Sequence, residues 1–157
     1  MWVLINLRKF GFTQDELVRV YLMNIRPVAD YAAVVYHSLM TDEQDEILER
    51  QQNFALKLIY GPKISAAKMR QKAGICTLRD RRITLCDRFA AKAAADPVFK
   101  KWFPLKAGRQ TRTSMKYEEK YARCDRLKNS PIFFMRRRLN GKPGKRYGAR
   151  NQFWRKR

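Results

Sequence analysis

The chain has 157 residues, 45% of them hydrophobic, with 35 Lys and Arg against 14 Asp and Glu for a formal net charge of +21. That apolar fraction suits a folded globular domain and excludes a wholly disordered chain, while the charge asks for a polyanion, of which nucleic-acid phosphate is the obvious choice. No apolar run approaches the roughly 18 residues of a membrane span, and the opening MWVLINL lacks a basic leader and a cleavage site. Cys76, Cys86 and Cys124 form no CxxC pair. The expectation is an intracellular protein, nuclear or cytoplasmic, not secreted, with neither a disulfide framework nor a zinc knuckle.

Thr13 followed by Glu16 forms a capping box, with Asp15 and Glu16 where the helix dipole favours negative charge. A helix is predicted from about Thr13, kinked or broken by Pro27 near Ile25 before a second apolar run, Val28 to Leu39, and both are expected in the core. Thr41 with Gln44 opens the next helix, whose inward stripe reads Ile47, Leu48, Gln51, Phe54, Ala55, Leu58 and Ile59, and Gly61 with Pro62 stops it. A shorter helix is predicted over Ser65 to Lys72. After Gly74, Thr77 and Asp80 open another, with Leu78, Leu85, Cys86, Phe89, Ala90 and Ala93 inward and Pro97 beyond its end. VFKKWFPL can form a turn or two, and Ser130 with Pro131 starts a last helix through Leu139. With no period-two strand pattern and no repeat, the fold class is all-α, a helical bundle with a basic, largely irregular C-terminal extension.

Charge and apolar content run in opposite directions. Residues 1 to 60 hold 6 basic and 8 acidic residues with 33 apolar ones, whereas 61 to 157 hold 29 basic and 6 acidic with 38 apolar among 97. The predicted organisation is a helical core over 1–61, a basic helical continuation packed on or beside it over 62–140, and a basic tail over 141–157. From Arg136 to Arg157 ten of 22 residues are Lys or Arg, and Gly141, Pro143, Gly144 and Gly148 interrupt regular structure, so the tail is expected to be disordered when free.

Catalytic constellations are not evident. Asp42, Glu43, Asp45, Glu46 and Glu49 occupy the first turns of a helix, where the dipole accounts for them, and Glu46 is spaced to pair with Arg50. His37 lacks a second histidine and reads as a packing or capping residue, the cysteines read as semi-buried hydrophobes, and GKPGK has no strand before it or helix after it. The informative pattern is basic residues interleaved with aromatics, since cations neutralise phosphates and aromatic rings stack on unpaired bases. In the tail these are Arg136, Arg137, Arg138, Lys142, Lys145, Arg146, Tyr147, Arg150 and Trp154; a nuclear address or a solubilising tail is the bland alternative. Upstream, Arg79, Arg81, Arg82 and Arg88 are spaced as a phosphate track on one helix, or as a solvated face.

The segment LRKFGFTQDELVRVYLMNIRPVADYAAVVYHSLMTDEQDEILERQQNFALKLIYG resembles the thumb of non-LTR retrotransposon reverse transcriptases. Ile25, Arg26, Pro27, Tyr31 and Ala32 match that family's Ile-Arg-Pro-x-x-x-Tyr-Ala block, and Leu48, Glu49, Arg50, Gln52, Ile59 and Gly61 match its Leu-Glu-Arg-x-Gln helix closing on Ile-x-Gly. TLRDRRITLCDRFAAKAAADPVFKKWFP resembles its Leu-x-x-Arg-Arg helix and phenylalanine-proline segment, and SPIFFMRRRLN a block near its C-terminus. Asp30 stands where the family has glutamate and Tyr36 where it has tryptophan. The similarity spans about residues 4 to 140.

The resemblance implies a thumb and C-terminal region of an RNA-directed DNA polymerase, gripping the template and product duplex by backbone contacts. The family's metal-binding palm aspartates have no counterpart, since the chain contains no Asp-Asp pair. Polymerisation by this chain alone is therefore not expected, no cofactor is expected, and Mg would belong to the missing palm. The candidate contacts are Arg50, Gln52, Lys57 and Lys63, followed by Arg79 and Arg82; Gln51 is set aside because it falls on the apolar stripe. Expected partners are RNA or an RNA·DNA duplex, together with an intact polymerase palm, and an orphaned apolar face would permit self-association. The alternative is a stand-alone basic RNA-binding or ribosome-associated protein.

Overall fold

A computed structural model describes residues 1–107, 116–119 and 121–141. Nine α-helices follow in order among these residues: α1 (Trp2–Lys9), α2 (Gln14–Val20), α3 (Arg26–Asp30), α4 (Ala33–Tyr36), α5 (Asp42–Tyr60), α6 (Ala66–Lys72), α7 (Leu78–Ala95), α8 (Asp125–Lys128) and α9 (Pro131–Leu139). Among the described residues the only β pairing is an isolated antiparallel bridge between Leu105 and Tyr117, so the fold is an all-α helical bundle. No described helix is long and apolar enough to cross a membrane. The chain divides into two compact units, Met1–Ala32 with Asp42–Arg82, and Ala33–Thr41 with the described part of Ile83–Arg157.

In the first unit, helix starts follow local chemistry. The Thr13 backbone N–H donates to Glu16 Oε2 at 2.9 Å and the Glu16 N–H returns to Thr13 Oγ1 at 3.4 Å, closing the capping box of α2. These bonds hold the Glu16 carboxyl below the usual carboxylate range, the Thr13 backbone N–H contributing most. The chain beyond α2 does not break at once. It widens into a π-helical stretch, Tyr21–Ile25, and restarts as α3 with Pro27 in its first turn, where a missing N–H costs nothing. At the end of α5 Gly61 takes φ +90, a left-handed conformation that L side chains rarely adopt, and the 61–65 connection leads into α6. Leu4, Leu17, Val18, Tyr21, Ala55 and Ile59 form the core, so α1 closes it, an element the sequence reading did not anticipate because no capping residue announces it.

Two expectations for this unit need correction. The stripe that α5 buries is Asp45, Gln52, Ala55, Leu56 and Ile59, while Ile47, Gln51 and Phe54 face solvent. The second apolar run is not uniformly core either: Val28 and Tyr31 are about four-fifths exposed, at 77% and 82%. Between α3 and α4 the chain turns at Ala32, whose φ of 53 is left-handed without being glycine.

The second unit packs Cys86, Ala90 and Ala93 of α7 with Phe103 and with Phe134 and Met135 of α9. His37, buried at the turn after α4, meets the Phe134 ring edge-on at 5.3 Å, which is the packing role its isolation in sequence suggested. Helix α9 starts at Pro131 with Ser130 as its N-cap and ends at Leu139, as its sequence predicts. Cys86 is buried, whereas Cys76 and Cys124 are exposed.

Candidate nucleic-acid interface

A cation can meet a phosphate only if the fold leaves it exposed and unspent. The candidates separate sharply on that criterion.

Arg82, on the first turns of α7, has no exposed surface and donates through Nη2 to Asp45 Oδ1 of α5. Asp45 is itself buried, so this is an internal ion pair whose desolvation each partner offsets for the other. Arg79 Nε lies 3.7 Å from Asp45 Oδ2, and the Arg79 backbone N–H donates to Glu49 Oε1 at 3.0 Å. Arg81 pairs with Asp30 at 3.3 Å and Arg50 with Glu46 at 3.2 Å. The acidic residues at the start of α5 therefore hold Arg50, Arg79 and Arg82 as well as meeting the helix dipole. The open groove of about 730 Å³ beside them carries Asp45, Glu46 and Glu49 along with Arg50, Arg70 and Arg79, a mixed surface rather than a cationic one. Among the described residues no group of three or more His, Cys, Asp or Glu is arranged to hold a metal ion.

Gln52 was the favoured groove contact, and its placement corrects that choice. It is 1% exposed, accepts from the Tyr21 hydroxyl at 3.2 Å, and donates through Nε2 to the Cys76 carbonyl at 3.2 Å. Gln52 is thus a polar residue of the core, and the neighbouring Gln51 is the exposed one. Burial pushes the Tyr21 phenol up to about 12, with Arg26 opposing the shift and Glu49 and Asp30 adding to it.

The arginine run on α9 is similarly committed. Arg136 is buried, donates from Nε to the Trp102 carbonyl at 2.7 Å, and lies 5.5 Å from the Phe133 ring centre. Its burial lowers its pKa, which Glu118 partly offsets. Arg137 donates to the Lys128 carbonyl at 2.6 Å. Arg138 grips Asp87 with two bonds of 2.8 and 2.5 Å, and these raise its pKa. As sequence, RRR reads as a phosphate clamp; in the fold Arg136 is removed from solvent and its two neighbours already hold protein oxygens.

Lys57 on α5 and Lys63 after it are exposed and form no hydrogen bond or ion pair with a described residue. Lys142, Lys145, Arg146, Tyr147, Arg150 and Trp154 lie outside the described residues. In the second unit Arg88, which the sequence reading placed on its phosphate track, and Lys92, Lys100 and Lys101, which it did not single out, are exposed with unspent side chains. What marks them in the sequence is the scarcity of carboxylates around them, with only Asp87 and Asp96 between Ile83 and Ala107. No protein-family model, curated protein or solved structure matches the chain.

Proposed function

We propose that the chain is the thumb and adjoining C-terminal region of a non-LTR retrotransposon reverse transcriptase, and that it holds a template and product duplex by its phosphate backbone without polymerising by itself. The observation that carries this reading is the pair of sequence blocks Ile25-Arg26-Pro27 with Tyr31-Ala32, and Leu48-Glu49-Arg50 with Ile59 and Gly61, the latter running from the middle of α5 past its end. Pro27 lies in the first turn of α3, Ala32 turns the chain at its left-handed φ of 53, and Gly61 ends α5 at φ +90.

In this reading Lys57 and Lys63 meet phosphates from α5 and the segment after it. Arg50 and Arg79 do so only by leaving Glu46 and Asp45, an exchange that is cheap at the exposed Arg50 pair. Gln52 and Arg82 support the fold and do not touch the ligand. Trp2, Phe10, Met23 and Tyr31 are exposed on the first unit and would supply the face toward a polymerase palm.

Fluorescence anisotropy of the chain with an RNA·DNA hybrid, a DNA duplex and single-stranded RNA, each over a salt series, tests this. Neutralising about six phosphates gives a slope of log affinity against log salt of roughly −4 to −5, and the reading expects the hybrid to be preferred over the DNA duplex. A salt-insensitive complex, or equal affinity for all three, would overturn it.

A further inference from the structure

The second unit carries a line of cations that the fold has not used. Arg88 and Lys92 sit four residues apart on α7, both exposed, about 6 Å apart along the helix axis. The winding continues past the helix end: the Asp96 N–H donates to the Lys92 carbonyl at 3.1 Å and the Lys100 N–H to the Asp96 carbonyl at 2.9 Å. Lys100 and Lys101 then lie exposed in the short 3-10 turn Lys100–Trp102. Steps of four residues thus run Arg88, Lys92, Asp96 and Lys100, three cations with one carboxylate among them.

The two carboxylates on this stretch are occupied. Asp87 is held by both arms of Arg138, and Asp96 Oδ1 accepts the Val98 N–H at 2.8 Å. None of the Arg88, Lys92, Lys100 and Lys101 side chains has a hydrogen bond or ion pair to a described residue. Trp102 closes the line, its ring 4.9 Å from Phe99 and about a third exposed, at 36%. Like charges lined up this way repel one another, and the arrangement is stabilised by an anion of matching repeat.

We infer that Arg88, Lys92, Lys100 and Lys101 form a phosphate-binding ridge that tracks the backbone of one nucleic-acid strand, with Trp102 at its end available to an unpaired base. The ridge rests on the nucleic-acid reading of the chain. It moves the principal contacts away from Arg79 and Arg82, which α5 neutralises, and from Arg136 and Arg138, which their own unit binds. Recognition by such a ridge is independent of base sequence, because its cations meet phosphate and an aromatic ring stacks on any base.

The test compares two quadruple variants of the full chain, each losing four positive charges: Arg88→Gln, Lys92→Gln, Lys100→Gln and Lys101→Gln on the ridge, and Lys9→Gln, Arg19→Gln, Lys68→Gln and Lys72→Gln at exposed sites of the first unit. Circular dichroism and thermal melting establish that each is folded. Affinities for single-stranded RNA and an RNA·DNA hybrid are measured over a salt series, with anionic phosphatidylserine vesicles as a further arm. A ridge of four phosphate contacts predicts a salt slope flatter by roughly 3 to 4 in the ridge variant and almost unchanged in the control. A chain whose only tryptophan is Trp102, made with Trp2→Phe and Trp154→Phe, should show quenching on RNA binding. Equal losses in the two variants, or binding to RNA with no change at Trp102 and an intact slope in the ridge variant, overturn the ridge and leave nucleic-acid binding standing. Failure of the unaltered chain to bind either nucleic acid at low salt overturns the reading itself. Loss of vesicle binding alone in the ridge variant also overturns the ridge, by assigning these cations to a lipid surface.

Discussion

The two units handle positive charge in opposite ways. The segments Met1–Ala32 and Asp42–Arg82 contain 13 basic and 9 acidic residues, a net +4, and the arginines near their acids are drawn into pairs such as Arg82 with Asp45, Arg81 with Asp30 and Arg50 with Glu46. The segments Ala33–Thr41 and Ile83–Arg157 contain 22 basic and 5 acidic residues, a net +17. There the few carboxylates satisfy Arg138, Lys128, Asn140 and a turn, and the side chains of Arg88, Lys92, Lys100 and Lys101 are among those left over. A count of basic residues therefore measures what a chain has to offer a polyanion only after the internal partners have been subtracted. In the first unit most of the arginine charge builds the fold; in the second the surplus remains for a ligand.

The largest effect expected from this comparison is at the Asp45 and Arg82 pair. Asp45→Ala leaves the guanidinium buried without its counter-charge and should cost about 3–5 kcal/mol, read as a fall in the chemical-denaturation midpoint. Pairing it with Arg82→Met should recover much of that loss, since an apolar replacement removes the desolvation as well. A cost below about 1 kcal/mol for Asp45→Ala would show that Arg82 finds water, and the contrast between the units would weaken.

Next in size is a pair on α5 that checks which face is inward. Leu56→Ala should cost about 2–5 kcal/mol and Phe54→Ala, two residues away and half exposed, within about 0.5 kcal/mol. The reverse order would restore the stripe read from hydrophobicity alone.

Tyr21 gives a pH prediction. Its folded pKa of about 12 lies above the ordinary value of 10.0, so the neutral phenol is the form the fold favours. Its contribution is fully present below about 10 and is lost as pH rises toward about 12. Tyr21→Phe, which deletes the hydroxyl that donates to Gln52, should be less stable at neutral pH and should lack this alkaline loss. Urea melts at a series of alkaline pH values read both effects, and an unchanged alkaline slope in the variant would contradict the assignment.

At the capping box the effect is smaller. Thr13→Ala should cost about 1 kcal/mol. Because the Glu16 carboxyl is lowered by its bonds to Thr13, its contribution is present above the ordinary carboxylate range and is lost as pH falls through the lowered value. The acid limb of the stability profile should flatten only in part in Thr13→Ala, which keeps the backbone N–H that contributes most, and should be lost in Glu16→Gln. The smallest effect belongs to the exposed Arg50 and Glu46 pair, worth about 0.3–0.5 kcal/mol and diminished by salt in a double-mutant cycle.

Most of the helix starts and stops were legible, because capping and turning are local. Thr13 with Glu16, Thr77 with Asp80, Ser130 with Pro131, and Gly61 each act within a few residues, and the structure uses all of them. The inward face of α5 was not legible. Its buried positions include Asp45 and Gln52, polar residues whose burial depends on Arg82 and on Tyr21 and Cys76, tens of residues away. A hydrophobicity pattern cannot register a carboxylate that is apolar in effect because a distant arginine cancels it. The turn at Ala32 escaped for a related reason: a left-handed residue without glycine is set by its surroundings.

The same non-local pairing decided how much of the candidate interface could be read. Lys57 and Lys63 stand where a ligand can reach them, and Arg82, Arg136 and Gln52 do not. Arg136, Arg137 and Arg138 form the densest basic triplet among the described residues, and its hydrogen bonds run to Trp102, Lys128 and Asp87. In the second unit the sparser set from Arg88 to Lys101 is left available, as Lys57 and Lys63 are in the first.

The most direct test of that division is arginine-selective labelling with phenylglyoxal, read peptide by peptide by mass spectrometry, with and without a bound RNA·DNA hybrid. Arg88 is expected to label rapidly in the free chain and to be protected by the hybrid, while Arg82 stays unreactive in both until the chain is unfolded. Rapid labelling of Arg82 in the native chain, or protection at Arg79 and Arg50 with Arg88 unaffected, would contradict the account.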